Sequence, residues 1–352
     1  MKIIDLYIAR VLVNSSALCL LVLTGLSGII KWIDQLRHVG RGSYNLVDAG
    51  IYVLFLVPRD IEMFFPMAVL LGGLIGLGML ASNSELVVMQ ASGMSRLQIS
   101  ASTMKTAIPL MLLVMALGEW GAPIAEQKAN ELKATKISGG SLIKSRQGVW
   151  AKDGDLFVNI GQVDDINRLR NITLYRFDEQ QKLTDLTFAK RADFIDGAWR
   201  MHQVTISHIG PQKVTKKELI EYDWHSSLTP DKLGVVSVKP ESLSIQGLVG
   251  YLEYLKNNRQ DPSRYELALW RKIVQPVTVA VMLLVALSFI FGPLRTVTMG
   301  ARVLLGVIAG FSFYISNQIF GPLSIVYSLP PVIGAIAPSI LFTGIAIYFI
   351  RK

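Results

Sequence analysis

Long uncharged runs set the two ends of the chain apart from its middle. From Val11 to Ile30 no charged residue occurs, and Arg10 and Lys31 bracket the run. Roughly twenty apolar residues in a helix cross about 30 Å of hydrocarbon, so this is a first candidate span. It is too long for the apolar core of a leader and has no small-x-small site beside it, so no cleavable signal is expected. A second span opens near Ile51, is interrupted by Pro58, Arg59, Asp60 and Glu62, and continues uncharged from Met63 to Ser84. That polar patch is expected at the membrane surface, or facing a cavity rather than lipid. A third span, Leu97 to Ala125, carries Lys105 and Glu119 near its ends.

The fourth span follows Asp261-Pro262, which reads as an N-cap with proline at the first helical position, and is uncharged from Ile273 to Leu294. Val303 to Ile350 is uncharged over far more than one span needs. Gly321-Pro322 and Leu329-Pro330-Pro331 are expected to divide it into two helices joined by a short turn. Six crossings place both termini on one side.

Between Gly139 and about Lys239 the pattern changes to period two. Leu156 to Ile160, Asn171 to Phe177 and Trp199 to Ile206 read as strands, with turns at Asp153-Gly154, Asp178-Glu179 and Asp196-Gly197. Short strands at regular spacing indicate a sandwich or jelly-roll rather than a βαβ unit. Ser244 to Asn257 reads as an amphipathic connecting helix. The expected architecture is a membrane all-α protein of about six transmembrane helices with an inserted all-β domain. Its divisions fall at residues 1–130, 131–242 and 243–352.

Composition supports that division. Residues are 51% hydrophobic and 17% charged, where a soluble domain carries about a quarter charged. The net charge of +9 could point to nucleic acid, but a membrane protein gathers lysine and arginine on its cytoplasmic side, and that reading ranks first. The single cysteine, Cys19, excludes an internal disulfide framework and a cysteine-based zinc site.

With cytoplasmic termini, the inside segments hold Lys2, Arg10, Arg96, Lys105, Arg295, Arg302, Arg351 and Lys352, and the balance favours this orientation with the β-domain outside. The first outer loop runs against the trend, because Lys31, Arg37, His38 and Arg41 cluster there. They either meet lipid phosphates at the outer leaflet or bind an anionic ligand.

No Gly-x-x-x-x-Gly-Lys-Ser/Thr motif occurs, so ATP hydrolysis by this chain alone is not expected. The four histidines, His38, His202, His208 and His225, form no His-Glu-x-x-His, which argues against a metalloprotease. No carboxylate pair is expected deep in a span, which argues against a proton-driven carrier. Gly72-x-x-x-Gly76 and Gly306-x-x-x-Gly310 are expected to serve packing within the chain ahead of partner contact.

Ser82 to Gly93 reads as a short helix between the second and third spans. Ser82 and Glu85 have capping-box spacing, and Gly93 suits a left-handed C-cap. Leu86, Val87, Val88 and Met89 make it too apolar for a solvated loop. It lies in the lipid interface or plugs a cytoplasmic partner's groove.

These residues carry a resemblance. Phe64 to Met67, Ser84 to Gly93, Lys105 to Pro109, Trp150 to Gly154, Leu228 to Val236 and Leu287 to Arg295 resemble the LptF/LptG permease family of the lipopolysaccharide exporter, closer to its LptG branch, over nearly the whole chain. The resemblance implies an ABC transporter in which this permease pairs with an LptF-like permease. An LptB-like ATPase dimer would bind ATP and magnesium, leaving no cofactor in this chain. It further implies a periplasmic jelly-roll that passes lipopolysaccharide towards LptC- and LptA-like proteins.

By the same resemblance, Glu85 to Gly93 is the ATPase-coupling helix, with Glu85, Leu86, Met89 and Gly93 as its contact residues. Lys31 matches a position that contacts the lipid's phosphates, and Arg37 and Arg41 would complete the cationic rim. Two further readings stay open: a subunit that transmits ATPase-driven motion without moving lipid, and a membrane-anchored scaffold that needs no ATPase.

Overall fold

The computed structural model describes residues 3–138, 149–165, 167–178, 180–210, 212–230, 239–291 and 298–351. Lys2, Glu179, Arg295 and Lys352 lie outside them, as do residues 231–236 and 292–295 of the family-like stretches. The chain packs as two compact units. One comprises Met1–Ile33, Leu56–Ala125 and Ser263–Lys352, the other Asp34–Phe55 and Glu126–Pro262.

The first unit is helical. Its elements come from α1 (Ile3–Leu36), α2 (Leu46–Ser82), α3 (Glu85–Ala91), α4 (Arg96–Ala116) and a π-helical turn (Leu117–Gly121); the chain continues into α5 (Ala122–Ser138), which from Glu126 on belongs to the second unit. After the inserted segment come α7 (Ser263–Phe291), α8 (Met299–Val326) and α9 (Pro331–Arg351). Among the described residues six helices are long and apolar enough to span a membrane. In α2, 72% of the apolar window is buried, against 22% in α1 and 17% in α8. The second helix, together with α7 at 56%, therefore forms the core of this unit, while α1 and α8 present apolar faces outward, as helices do in lipid.

Leu70, Leu74 and Leu77 recur at helical spacing on α2 and join a buried cluster with Ile8, Ile99, Met282, Val285, Ile290, Phe313 and Phe342. Both glycine pairs serve packing within the chain. A Cβ on Gly72 would overlap the Ser16 backbone, and the Ser15 hydroxyl donates to the Gly72 carbonyl at 2.7 Å. Gly306 faces Leu71 and Leu74 of α2, and Gly310 faces Leu70 and Met67.

The helices run through most of their prolines, and one expected break is absent. The second span is one continuous helix through Pro58 and Pro66. Pro66 has no N–H for the carbonyl four residues earlier, that of Glu62, and the Gln275 side chain of α7 donates to it instead at 3.1 Å. Likewise, Gly321-Pro322 does not divide the last apolar stretch. The eighth helix runs through it, and Arg271 donates to the Asn317 carbonyl one turn upstream at 2.5 Å. Only the Leu329 to Pro331 segment breaks the chain.

The second unit holds a six-stranded antiparallel sheet. Its strands are β1 (Val149–Asp153), β2 (Leu156–Asp165), β3 (Arg168–Phe177), β4 (Leu183–Ile195), β5 (Ala198–Ile209) and β6 (Val214–Trp224), paired in sequence order. The described strands thus form a meander, and the crossover connections of a jelly-roll are not among the described residues. Asp196 and Gly197 both have positive φ, as a two-residue turn between twisted strands requires. The connecting helix α6 (Ile245–Asn257) begins after Ser244, whose hydroxyl accepts from the Gly247 N–H at 3.0 Å. This helix clasps the first hairpin, because Tyr254 donates to the Lys152 carbonyl at 2.6 Å and Asn258 accepts from the Gly154 N–H at 2.7 Å.

The sheet departs from strict alternation along one line. Buried Ile160 and Val163, Leu169 and Ile172, Ala189 and Ala192, and Met201 and Val204 each flank two residues that are not buried. Asn171 and Gln203 on this line have φ of 52° and 54°. The left-handed residues turn the chain so that the same face is buried on both sides of the line, despite the period of two.

Candidate functional site

Within the helical unit, the polar interruption of the second span is a buried ion network. Asp60 and Glu62 are 2% and 5% exposed. Lys31 of α1 lies 2.5 Å from Asp60 Oδ1, and the Ser27 hydroxyl donates to Oδ2 at 3.1 Å. Glu62 receives Arg59 at 2.6 Å on one oxygen and Lys272 of α7 at 3.0 Å on the other. Lys272 also donates to the Gly118 carbonyl of the π-turn at 3.1 Å. Gly118 leaves room there, since a Cβ would lie 2.6 Å from the Glu62 carboxylate. Two carboxylates held by three cations make the patch electrically affordable away from water. Asp60 and Glu62, expected at the membrane surface or facing a cavity, are buried inside the helical unit, and each is ion-paired.

Within the other unit, the loop after the first helix gathers cations. Arg37 and Arg41 are exposed, and Arg37 makes only a loose pair with Asp34 at 3.7 Å. Partial burial lowers the pKa of His38, helped by the positive charges of Lys133 and Arg41, with Arg37 adding to them and Asp34 opposing. Lys133 of α5 is therefore a member of the cluster that sequence reading missed, ninety-odd positions from its neighbours. The signal was there: Lys128, Lys133 and Lys136 form a basic run beyond the third span, on the side already marked by Arg37 and Arg41.

Local packing fixes this loop. The Ser43 N–H donates to the Lys136 carbonyl at 2.8 Å. Gly42, with φ of +60°, approaches that same carbonyl so closely that a Cβ would overlap it. Tyr44 is 1% exposed, and burial pushes its phenol up to about 12. Lys133 also sits over the Tyr52 ring, 5.2 Å from the centroid. Lys31 belongs to the helical unit, whereas Arg37, His38, Arg41 and Lys133 belong to this one.

The short helix α3 forms where expected, but its start is built differently. Ser84, not Ser82, is the N-cap. It has φ of 62° and makes no side-chain cap, while the Ser82 hydroxyl turns back to the Met79 carbonyl. The Ser82–Glu85 capping box is absent because the helix starts one residue after Ser84, which makes Glu85 its first residue; the Glu85 carboxylate instead accepts from Tyr7 of α1 at 2.8 Å. Gly93 does take the left-handed conformation, with φ of +95°. Leu86 is buried and Met89 packs against the same core cluster, whereas Val87 and Val88 are 51% and 66% exposed. The apolar surface that this helix offers outward is the valine pair.

Six helices apolar enough to span a membrane, an inserted antiparallel sheet, a buried ion network and an exposed cationic loop define a multi-pass membrane protein. The chain belongs to the family described as lipopolysaccharide export system permease LptF/LptG, which matches residues 6–352. It is 50% identical over 353 aligned positions to the lipopolysaccharide export system permease protein LptG of Escherichia coli strain K12, covering 99% of this chain and 98% of that protein. Against the protein of the same name from Haemophilus influenzae strain Rd the identity is 48% over 341 positions, covering 96% and 95%. The resemblance carried by a few short stretches therefore extends along the whole chain.

Proposed function

We propose that the chain is the permease subunit of an ATP-driven lipopolysaccharide exporter in the bacterial inner membrane. It extracts the lipid from the outer leaflet and passes it to a periplasmic bridge. The observation that carries this is the near-complete alignment with permeases named for that export system, on a chain whose cations stand at the ends of its apolar spans. Lipopolysaccharide combines phosphates with several acyl chains, so its carrier needs apolar walls and cationic side chains. Lys31, on the helical unit, and Arg37 and Arg41, on the other, each supply charge-assisted contacts to phosphate. The last two are exposed and free of strong intramolecular pairing, which suits ligands from outside.

The chain carries no ATPase chemistry of its own in this reading. An LptB-like ATPase dimer with ATP and magnesium drives it, and an LptF-like permease completes the membrane part. Lipid then moves on through LptC- and LptA-like proteins. The termini and α3 face the cytoplasm, and the segment 131–242 faces the periplasm. Glu85, Leu86, Met89 and Gly93 shape the coupling helix, while the exposed Val87 and Val88 supply apolar surface for the ATPase groove.

Binding of lipopolysaccharide to the purified complex in nanodiscs tests the assignment. Lys31→Gln and Arg37→Gln should each weaken binding about tenfold, the order expected for loss of one charge-assisted contact. Unchanged binding and transport in the double variant would overturn it.

A further inference from the structure

The two buried carboxylates of α2 are built for different tasks. Both oxygens of Glu62 are held by cations, Arg59 and Lys272, whose side chains are 22% and 9% exposed. Among the described residues Asp60 is held by one cation, and that cation is reachable: the Lys31 side chain is 32% exposed while that of Asp60 is 3% exposed. The second oxygen of Asp60 takes a neutral donor, Ser27. A ligand arriving from outside can therefore compete for the ammonium group but not for the carboxylate.

We propose that Asp60 is an intramolecular counter-anion that competes with cargo phosphate for Lys31 and so sets how tightly the lipid is held. This rests on the assignment of Lys31 as a phosphate ligand. An ammonium offers three donors from a compact charge on a flexible stem, so Lys31 can pass from one acceptor to another without moving the backbone. When phosphate takes the amine, the Lys31–Asp60 contact is the fixed cost subtracted from binding. When the lipid leaves, Asp60 takes the amine back, and no bare cation remains in a low-dielectric site.

Transport needs this balance, because a site must bind strongly enough to load and weakly enough to unload. Asp60 acts on the cargo only through Lys31. The opposite role, in which the carboxylate merely orients the amine for phosphate, gives the opposite sign on removal, because an unoriented lysine binds less well.

The test uses the complete exporter in nanodiscs, with lipopolysaccharide binding and ATP-dependent release to the acceptor measured for four forms: wild type, Asp60→Asn, Lys31→Gln and the double variant. Asp60→Asn should bind the lipid about tenfold more tightly, the worth of one partly buried charged contact, and should release it more slowly. The gain should vanish in the double variant, which should bind like Lys31→Gln. If Lys31→Gln alone leaves binding unchanged, the phosphate-ligand assignment fails and this inference fails with it. If Lys31→Gln weakens binding but Asp60→Asn leaves it unchanged or weaker, only the competition is overturned. Asp60→Ser, neutral and smaller, repeats the measurement should the asparagine variant not assemble. Failure of both to assemble would also overturn the proposal, by making Asp60 a requirement of the fold.

Discussion

Glu62 and Asp193 each bind two arginine or lysine side chains, yet they sit in different solvents. Glu62 lies in the helical unit with Arg59 and Lys272, all three mostly shielded. Asp193 lies on the sheet with Arg168 at 2.8 Å and Arg191 at 2.6 Å, both arginines about half exposed. Ion-pair geometry is equally good in both places. What differs is the fate of the charge that remains when one partner is removed. On the sheet the half-exposed arginines reach water and Asp193 itself is 14% exposed, whereas Glu62 in the helical unit is 5% exposed and would be left nearly dry.

The largest effect should therefore follow Lys272→Met. It strands Glu62 opposite a single arginine and leaves the Gly118 carbonyl without its donor, at a cost of about 3–5 kcal/mol. Thermal unfolding of the detergent-solubilised complex reads this out. Adding Glu62→Gln to Lys272→Met should recover more than half of the loss, because Arg59 is exposed enough to reach solvent by itself. If the double variant is as unstable as the single one, packing rather than charge dominates the site.

Gly118→Ala should come next. The new methyl would meet the carboxylate of Glu62. A long side chain ordinarily swings aside at little cost, but this one is pinned by Arg59 and Lys272. We expect a loss of about 1–3 kcal/mol, typical of overpacking, that is not additive with Glu62→Gln in the same unfolding measurement.

A smaller effect is expected for Asp193→Asn, about 1 kcal/mol or less after allowing for solvent at the arginines. Its pH dependence is the sharper readout. Burial pushes the Asp193 carboxyl up, but Arg168 and Arg191 outweigh it, and the net shift is downward. A depressed folded-state pKa contributes stability that is complete above the unfolded value, near 4, and is lost as pH falls through the folded value. Amide exchange of β4 and β5, corrected for intrinsic rates, should thus speed up on acidification more in wild type than in Asp193→Asn. An equal response would assign the acid sensitivity to other carboxylates.

The same contrast explains what the sequence could and could not disclose. Spans were legible because apolar runs are local, and Gly93 because a left-handed cap leaves a residue-type mark. The hairpin turn at Asp196-Gly197 was legible for the same reason, and the one after β1 was read a residue early, since Asp153 pairs with Leu156 and Gly154-Asp155 make the turn. Strand β6 was not, because with only Trp224 buried it has no alternation to read. The line through Asn171 and Gln203 likewise breaks the period of two within strands that were otherwise recognised. Asp60 and Glu62 read as a polar patch at the membrane surface or facing a cavity; apart from Arg59, three residues from Glu62, their cations are distant in sequence, Lys31 by 29 residues and Lys272 by 210. Pro322 looked like a helix end because nothing local shows that Arg271 supports the turn before it.

Arg200 marks the zero of the scale. It pairs with Asp223 across β5 and β6 at 3.1 Å, a contact as short as the one between Lys272 and the Gly118 carbonyl, but both partners stand in solvent. The carboxylate of Asp223 raises the proton affinity of the guanidinium, which is already charged in folded and unfolded chain alike, so no pH window opens around it. Arg200→Gln should leave the unfolding midpoint and the exchange of β5 unmoved within error. A loss comparable to that of Lys272→Met would mean that contact geometry, not the surrounding solvent, sets the strength of ion pairs in this protein, and the distinction drawn between its two units would fall.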